Sequence, residues 1–585
     1  MKKRIFTFLL AGLMAAGMVS CGSGPQSSTE TSTETSTGGD SSASESSEQT
    51  GDSGEVISLY ILSMPANKSG IIEGWWADDV REKLGIEFNL LPSGDQGEQK
   101  LQALMASGEL PDLVIFKDYK QVENAVVGNM LLAFDDYKDL VPNVYANAAE
   151  SLQYTADTLS DGQGKSFVVG TGIKHYPDSR GWSGLQVRYD LYKEIGSPEV
   201  GTLMDLVPVI QEMQALEPEN ADGKKVYGLS LFKDWDRSYM TVGMFAAGTM
   251  GYEIPGEGTL VQIDYRNDPN GVVDSLLVED GVYMQFLDFC FALNQLDLLD
   301  PDSLTQRFDD YMGKVGDGRT IMTAFGDWGV PTFNTYEQKQ KGVGYMPIPL
   351  MDVPYKIGGT QPIGNQWTIG VSSATEYPEK CMEFVNYFYD YDANMFAVNG
   401  VQGPDALWDY DENGQPYRTE TYYEFANNPE KLLPDGRKHD QGGSPLTASA
   451  FFANEINPNT GLPLDSQYWP EKDYAPEKTL LETTWMEDYD ANDSVDYSVK
   501  NNLVVEKPFF IAPLMTDEME QISSRVGDVV KTISWQMIFA EDQAEYDALK
   551  EEMISKAEGL GINDFLEWFK VEYENALEFG KQYTE

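Results

Sequence analysis

The chain is 585 residues long and carries 95 acidic against 41 basic residues, a formal net charge of -54. A surface of that sign repels phosphate backbones and anionic lipid headgroups, which excludes nucleic-acid binding. With only His175 and His439 as histidines, there is almost no material for histidine-based zinc sites or Ser-His-Asp triads.

The N-terminus opens on Lys2, Lys3 and Arg4, continues through an apolar stretch at 5–19 and reaches Met18-Val19-Ser20-Cys21-Gly22. This is the anatomy of a signal peptide over residues 1–20. The apolar stretch is shorter than the roughly 20 residues that a membrane-spanning helix needs. The quartet ending in Cys21 resembles a bacterial lipobox, which implies cleavage before Cys21 and a diacylglyceryl group on its sulfur. The alternative is an ordinary secretory signal with an incidental cysteine. Residues 21–55 are Ser, Thr, Glu, Gly and Asp with almost nothing apolar, so they read as a disordered tether.

The remaining chain, roughly 530 residues, is long enough for two or three lobes. Cys290 and Cys381 sit inside apolar helical patterns and read as buried small hydrophobes rather than a disulfide. The chain holds 11 Trp and 32 Tyr, more than a core requires, so some rings should face a ligand.

In chain order, 56–62 reads as a strand. Ile71, Trp75, Val80 and Leu84 recur at helical spacing up to Gly85, with one ring of the Trp75-Trp76 pair pointing away from the core. Ile86, Phe88 and Leu90 alternate as a second strand, 97–107 is a helix, and 113–116 is a third strand. That is β-α-β-α-β, whose right-handed crossovers build a parallel sheet with ligands beyond the carboxyl ends of its strands. The loops to watch are therefore 63–68, 92–96 and 117–119, with Asp95, Gln96, Lys117 and Asp118 as ligand-facing polar groups. Further on, 189–195, 202–216, 281–295 and 378–391 read as helices; 226–232, 320–325, 342–348 and 367–372 read as strands. The stretch 399–513 is rich in Pro, Asn, Asp and Tyr and reads as loops and short hairpins laid over one lobe. Two long amphipathic helices follow, around 519–537 and 565–577.

Several patches, in order, resemble the family 1 extracellular solute-binding proteins. They are LQALMASGELPD at 101–112, LLAFDDY at 131–137, RYDLYKEIG at 188–196 with GTLMDL at 201–206, GRTIM at 318–322 with GDWG at 326–329, and EYPE at 376–379. The length and the terminal helices resemble the large Gram-positive lipoproteins that serve oligosaccharide importers. Departures are DGQGK at 161–165, one residue longer than usual, and Phe167 in place of a Tyr. They leave the course of the first hinge strand open.

The resemblance implies an α/β, two-lobed periplasmic-binding-protein-like fold with hinge strands and a helical C-terminal extension. One lobe would hold 56–172 and 320–398, the other 173–319 and 399–585. It also implies an ABC importer's binding protein, monomeric, anchored through Cys21 on the extracellular face of a Gram-positive-type cell, with permease subunits as partners and no cofactor.

A sugar presents C–H faces ringed by hydroxyls, so its site needs aromatic platforms flanked by planar hydrogen-bonding groups. Trp328 with Asp327 is the first candidate, followed by Trp182 with Arg180, Trp235 with Asp234 and Asp236, and Trp367 with Asn365 and Gln366. For each tryptophan the alternative is a packing role. Asp409, Asp411, Asn413 and Glu420 have calcium-loop spacing around Gly414, but Pro416 and the Asp-Glu-Asn-Gly turn favour a hairpin. The Gly-rich 243–251 lacks the Lys and Ser/Thr of a phosphate loop. No carboxylate pair stands out for glycoside cleavage. The expected function is oligosaccharide capture without chemistry; a peptide or other non-sugar solute, or a surface carbohydrate-active enzyme, are the alternatives.

Overall fold

The computed structural model describes residues 56–584, apart from 67–68, 92–96, 176–184, 257, 351–354, 358, 427–430, 434–435, 438–441 and 474. Its principal sheet has six strands in the order Gly70–Ile71, Ile86–Leu91, Ile57–Ser63, Leu113–Phe116, Thr368–Val371, Val168–Gly170. Ile57–Ser63 pairs in parallel with both of its neighbours, whereas Thr368–Val371 runs antiparallel between Leu113–Phe116 and Val168–Gly170. The three expected early strands and the helix Gly97–Ser107 form. Ile71, expected as part of a helix, instead pairs with Asn89 on a short edge strand.

The strand periodicity of two divides the apolar residues between the sheet's faces. Leu59, Ile61, Ile86, Phe88, Leu90, Leu113 and Ile115 enter one hydrophobic cluster, and Leu62, Val114 and Phe116 enter the other. The first face is covered by Trp75–Leu84 and Pro378–Phe388. Both Trp75 and Trp76 are buried there, which corrects the expectation that one points away. The cause is a loop laid over the helix: Trp76 N–H donates to the Gly442 carbonyl at 2.9 Å, and the Trp75 ring meets Phe396 edge-on at 5.3 Å.

A second core gathers around Val282–Gln295, whose Tyr283, Phe286, Leu287, Phe289, Cys290 and Leu293 are all buried. It packs against Thr241–Gly248 and Asp517–Ile538. Cys290 and Cys381 are buried free thiols, as expected. The expected strands at 226–232 and 320–325 are reduced to isolated bridges, Tyr227 with Thr320, Leu229 with Leu299 and Val187 with Met322. Backbone bonds such as Arg188 N–H to Ile321 O and Ile321 N–H to Tyr227 O, 2.9 and 2.8 Å, still knit these segments beside the pair Gln186–Arg188 and Tyr345–Pro347.

Two stretches pack elsewhere than the expected partition put them. Ile321, Met322, Phe325, Tyr345 and Ile348 belong to the second core, while Leu407, Trp408, Phe425, Phe451 and Trp469 join the first. The C-terminal helices number one more than expected: Gln543–Leu560 lies between Asp517–Ile538 and Ile562–Gly580. The chain end also reaches the cluster on the sheet's other face, where Phe579 and Tyr583 meet the Tyr154 ring at 6.1 and 6.2 Å.

Candidate functional site

The carboxyl edge of the main sheet carries one half of the site. Phe116 pairs with Thr368 across antiparallel strands, so Lys117 and Trp367 leave the sheet side by side at this edge. Asp118 caps the helix Tyr119–Val127, accepting the Gln121 N–H at 2.8 Å, and the Lys117 N–H donates to Gln121 Oε1 at 3.0 Å. Burial raises the Asp118 carboxyl above its ordinary value, against the Gln121 N–H that lowers it and with Glu98 adding to the rise.

Asn365 is a turn-former as much as a ligand candidate. Its Oδ1 accepts the Trp367 N–H at 2.8 Å and the Thr171 hydroxyl at 3.2 Å. Its own N–H donates to the Thr171 carbonyl at 2.8 Å. Gly364 before it has φ +80, and a Cβ there would stand 2.4 Å from the Thr171 carbonyl oxygen, so only glycine fits. Asn365 and Gln366 line a cavity of about 250 Å³ together with Tyr119, Phe509, Phe510 and Lys507. On its far side Glu253 pairs with Lys507 at 2.8 Å.

The second core carries the other half. Trp235, Phe245, Phe308 and Trp328 are all half-buried and stand on the buried Phe232. Trp235 and Trp328 meet edge-on at 5.3 Å; Phe245 lies 4.8 Å from Trp328, and Phe308 4.4 Å from Trp235. Two local features aim Trp328. Phe325 adopts φ +62, an uncommon conformation for a bulky side chain, and a Cβ on Gly326 would come within 2.6 Å of the Trp328 ring. Asp327 is exposed, its carbonyl accepting the Val330 N–H at 3.0 Å.

The carboxylates flanking Trp235 are turned to internal work. Asp234 accepts the Phe308 N–H at 2.9 Å, which sets that ring beside Trp235. Asp236 accepts the Thr241 N–H at 2.9 Å and the Trp535 indole N–H at 2.7 Å. Burial is the largest influence on Asp236 and pushes its carboxyl up to about 6.

The two halves face each other. Arg237, two residues beyond Trp235, lies 3.9 Å from Glu98 at the start of Gly97–Ser107, and Asp118 feels the charge of Glu520 on Asp517–Ile538. The structure thus brings Trp235 and Trp328 together in one ring cluster, and Lys117, Asp118, Asn365, Gln366 and Trp367 together at the edge of the main sheet. Cys21, Asp95, Gln96, Arg180 and Trp182 lie outside the described residues. Tyr119, Phe245, Phe308, Phe509, Phe510 and Trp535 were not expected at the site. The adjacent Phe509-Phe510, followed by Ile511, was the one readable signal.

Asp409, Asp411 and Asn413 belong to a hairpin. Trp408–Tyr410 pairs with Pro416–Arg418, Asp411 Oδ1 accepts the Asn413 and Gln415 N–H groups, and Asp411 Oδ2 lies 3.2 Å from Lys472. Glu420 begins the following helix, Glu420–Ala426. Among the described residues no cluster of three His, Cys, Asp or Glu side chains could hold a metal, and no helix is long and apolar enough to cross a membrane.

Two main cores joined by chain that passes between them, one carrying the cluster of aromatic rings and the other the polar edge of the main sheet, define a two-lobed α/β fold. Residues 75–403 match the model of the bacterial extracellular solute-binding proteins, and the chain belongs to that family. No curated protein matches it in sequence. Among solved structures it is similar to an HMO-binding, ABC-transporter-associated solute-binding protein from Bifidobacterium longum infantis ATCC 15697. That pair is 17% identical over 89% of this chain and 99% of the other, with a TM-score of 0.53. It is also similar to the S. pneumoniae ABC-transporter substrate-binding protein FusA in complex with kestose, 16% identical over 89% and 99%, TM-score 0.56. A third is the N-glycan transport solute-binding protein NgtS from Streptococcus pneumoniae, 14% identical over 90% and 99%, TM-score 0.53. At these identities the likeness establishes the fold.

Proposed function

We propose that this protein captures an oligosaccharide between its lobes and delivers it to the permease subunits of an ABC importer. It acts by binding, without covalent chemistry, and works as a monomer. The observations that support the reading are the cluster of half-buried rings around Trp235 and Trp328 and, at the carboxyl edge of the main sheet, the amides of Asn365 and Gln366 lining a cavity with Phe509 and Phe510. Apolar C–H faces and hydroxyls of a sugar need those two surfaces at once. The HMO, kestose and N-glycan named for the similar structures point the same way.

One lobe comprises about 56–172 with 361–469, the other about 185–350 with 480–584, and hinge motion through the crossing segments closes them on the ligand. Cys21 carries the lipid anchor that keeps the tethered lobes at the extracellular face of a Gram-positive-type cell, where two acyl chains suffice for durable attachment.

The test is a thermal-shift screen of the chain from residue 55 against kestose, human-milk and N-glycan oligosaccharides and, in parallel, a peptide library. A ligand at 100 times its Kd adds about 2.7 kcal/mol, so a shift of several degrees with oligosaccharides alone is expected. Shifts with peptides alone, or release of shortened sugars on incubation, would overturn the proposal.

A further inference from the structure

The loop bearing Trp235 is pinned by a carboxylate that points into the protein rather than into the groove. Each oxygen of Asp236 is taken by an N–H donor: Oδ1 by Thr241 at 2.9 Å and Oδ2 by the Trp535 indole at 2.7 Å. The Thr241 hydroxyl then donates back to the Trp235 carbonyl at 2.5 Å. The residues from Trp235 to Thr241 are thus closed into a ring, and the ring is tied to the C-terminal helix Asp517–Ile538 through Trp535.

We propose that Asp236 is a positioning residue: held by Thr241 and Trp535 together, its carboxylate fixes the Trp235 ring against Phe308 and Trp328, and uptake of a proton by Asp236 frees that ring. The inference rests on reading the groove as the oligosaccharide site. The chemistry follows from the partners. Backbone and indole N–H groups donate and cannot accept, and a neutral carboxyl accepts much more weakly than a carboxylate, so a proton taken up by Asp236 weakens both bonds. The proton comes from solvent, and no other bond changes.

The charged groups around Asp236 come from three elements. Lys233, on the same loop, lies 4.5 Å over the Trp535 ring, and its ammonium is lowered by burial. Lys531, from Asp517–Ile538, lies 3.6 Å from Asp528. Tyr283, from Val282–Gln295, accepts the Met240 N–H and donates to Ser534, both at 3.0 Å; burial raises its hydroxyl out of reach of neutral pH. Both lysines favour the ionised carboxylate, but burial outweighs them and pushes Asp236 up to about 6.

The sign is specific. The ring is fixed above pH 6 and freed below it. A folded-state value raised above the unfolded one favours the fold at low pH and withdraws that support as pH rises through 6, so this group does not unfold the protein in acid. At pH 5 about a tenth of the molecules keep the carboxylate, and the apparent affinity falls with the competent fraction, about tenfold.

The decisive experiment needs no sugar. Indole resonances of the 15N-tryptophan-labelled chain are followed from pH 7.5 to 5, with Trp235 and Trp535 assigned from Trp235→Phe and Trp535→Phe. Both resonances are expected to titrate together near pH 6 in the parent and to be flat in Asp236→Asn. A Trp235 resonance that does not move, or one that still titrates in Asp236→Asn, overturns the inference. If Asp236→Asn fails to fold, Asp236→Ser serves instead, since it also removes the titrating group; a Trp235 step near pH 6 that persists in it overturns the inference. Isothermal titration with the glycan selected by the screen should then read about tenfold weaker binding at pH 5 than at pH 7.5 for the parent and under twofold for Asp236→Asn; equal profiles refute it. A parent chain that titrates as described but binds no oligosaccharide would sink the functional reading and leave this coupling standing.

Discussion

Replacing Trp328 by Ala separates the proposed platform role from packing, because the two roles predict different outcomes. It is half-buried against the second core, with Phe245, Trp235, Phe308 and Phe232 at 4.8, 5.3, 5.8 and 6.2 Å. A fully buried Trp→Ala change costs about 3–5 kcal/mol. With part of the ring exposed, about 2 kcal/mol is expected, or roughly 4 °C in the melting temperature of a cooperative unit of about 250 residues. The same substitution removes one of the two indole rings of the aromatic cluster. A central tryptophan in a binding site contributes about 2 kcal/mol or more, which is about thirtyfold in Kd. The assay is scanning fluorimetry with and without the screened glycan, paired with titration calorimetry. A melting temperature that drops about 10 °C while the glycan still binds at parent affinity would make Trp328 a core residue. An unchanged melting temperature with unchanged binding would remove it from both roles.

Cys21→Ser should move the protein from the membrane fraction into the medium, as read by immunoblot of the two fractions; retention at the membrane would refute the lipid anchor. Gly364→Ala places a Cβ 2.4 Å from the Thr171 carbonyl in a left-handed conformation, which should cost more than about 2 kcal/mol in urea unfolding and weaken glycan binding through Asn365. His175 lies 2.8 Å from the buried Glu455, whose hydrogen bond is the largest influence raising the imidazole above its ordinary value, with burial opposing it. That pair stabilises the fold fully below about pH 6.5 and its contribution is lost as pH rises through the folded value. Calorimetry of the parent against His175→Gln between pH 6 and 8 should therefore show the difference shrinking with pH; a constant difference would refute the pairing.

What could be read in advance divides by the reach of the forces involved. Ile86, Phe88 and Leu90 alternate and are buried in alternation, and Gly97–Ser107 begins and ends where local signals placed it, because side-chain period and glycine stops are local. The segments at 226–232 and 320–325 have strand composition, yet their partners are set by tertiary contact, and only isolated bridges form. Likewise Trp75 is buried by a loop more than 360 positions away in the chain, which no spacing rule could disclose. At the site, the aromatic demand of a sugar singled out Trp235 and Trp328 one by one, and their rings lie 5.3 Å apart. It read Asp236 as ligand-facing because a carboxylate beside a tryptophan looks the same whether its donor is a hydroxyl of a sugar or the indole of Trp535. Phe308 and Phe245 escaped notice because nothing local marks them.

The strand Thr368–Val371 fills the gap between Leu113–Phe116 and Val168–Gly170, and this has a bearing on how the molecule comes to be made. A chain that emerges from its N-terminus has delivered five of the sheet's six strands by Gly170, but the sixth, which holds two of them together, follows about 200 residues later. Until then Leu113–Phe116 is an open edge and Val168–Gly170 has no ladder to join, and such edges invite mispairing. The long wait for a distant strand favours slow folding and leaves the leading part of the chain pliable while the rest is made.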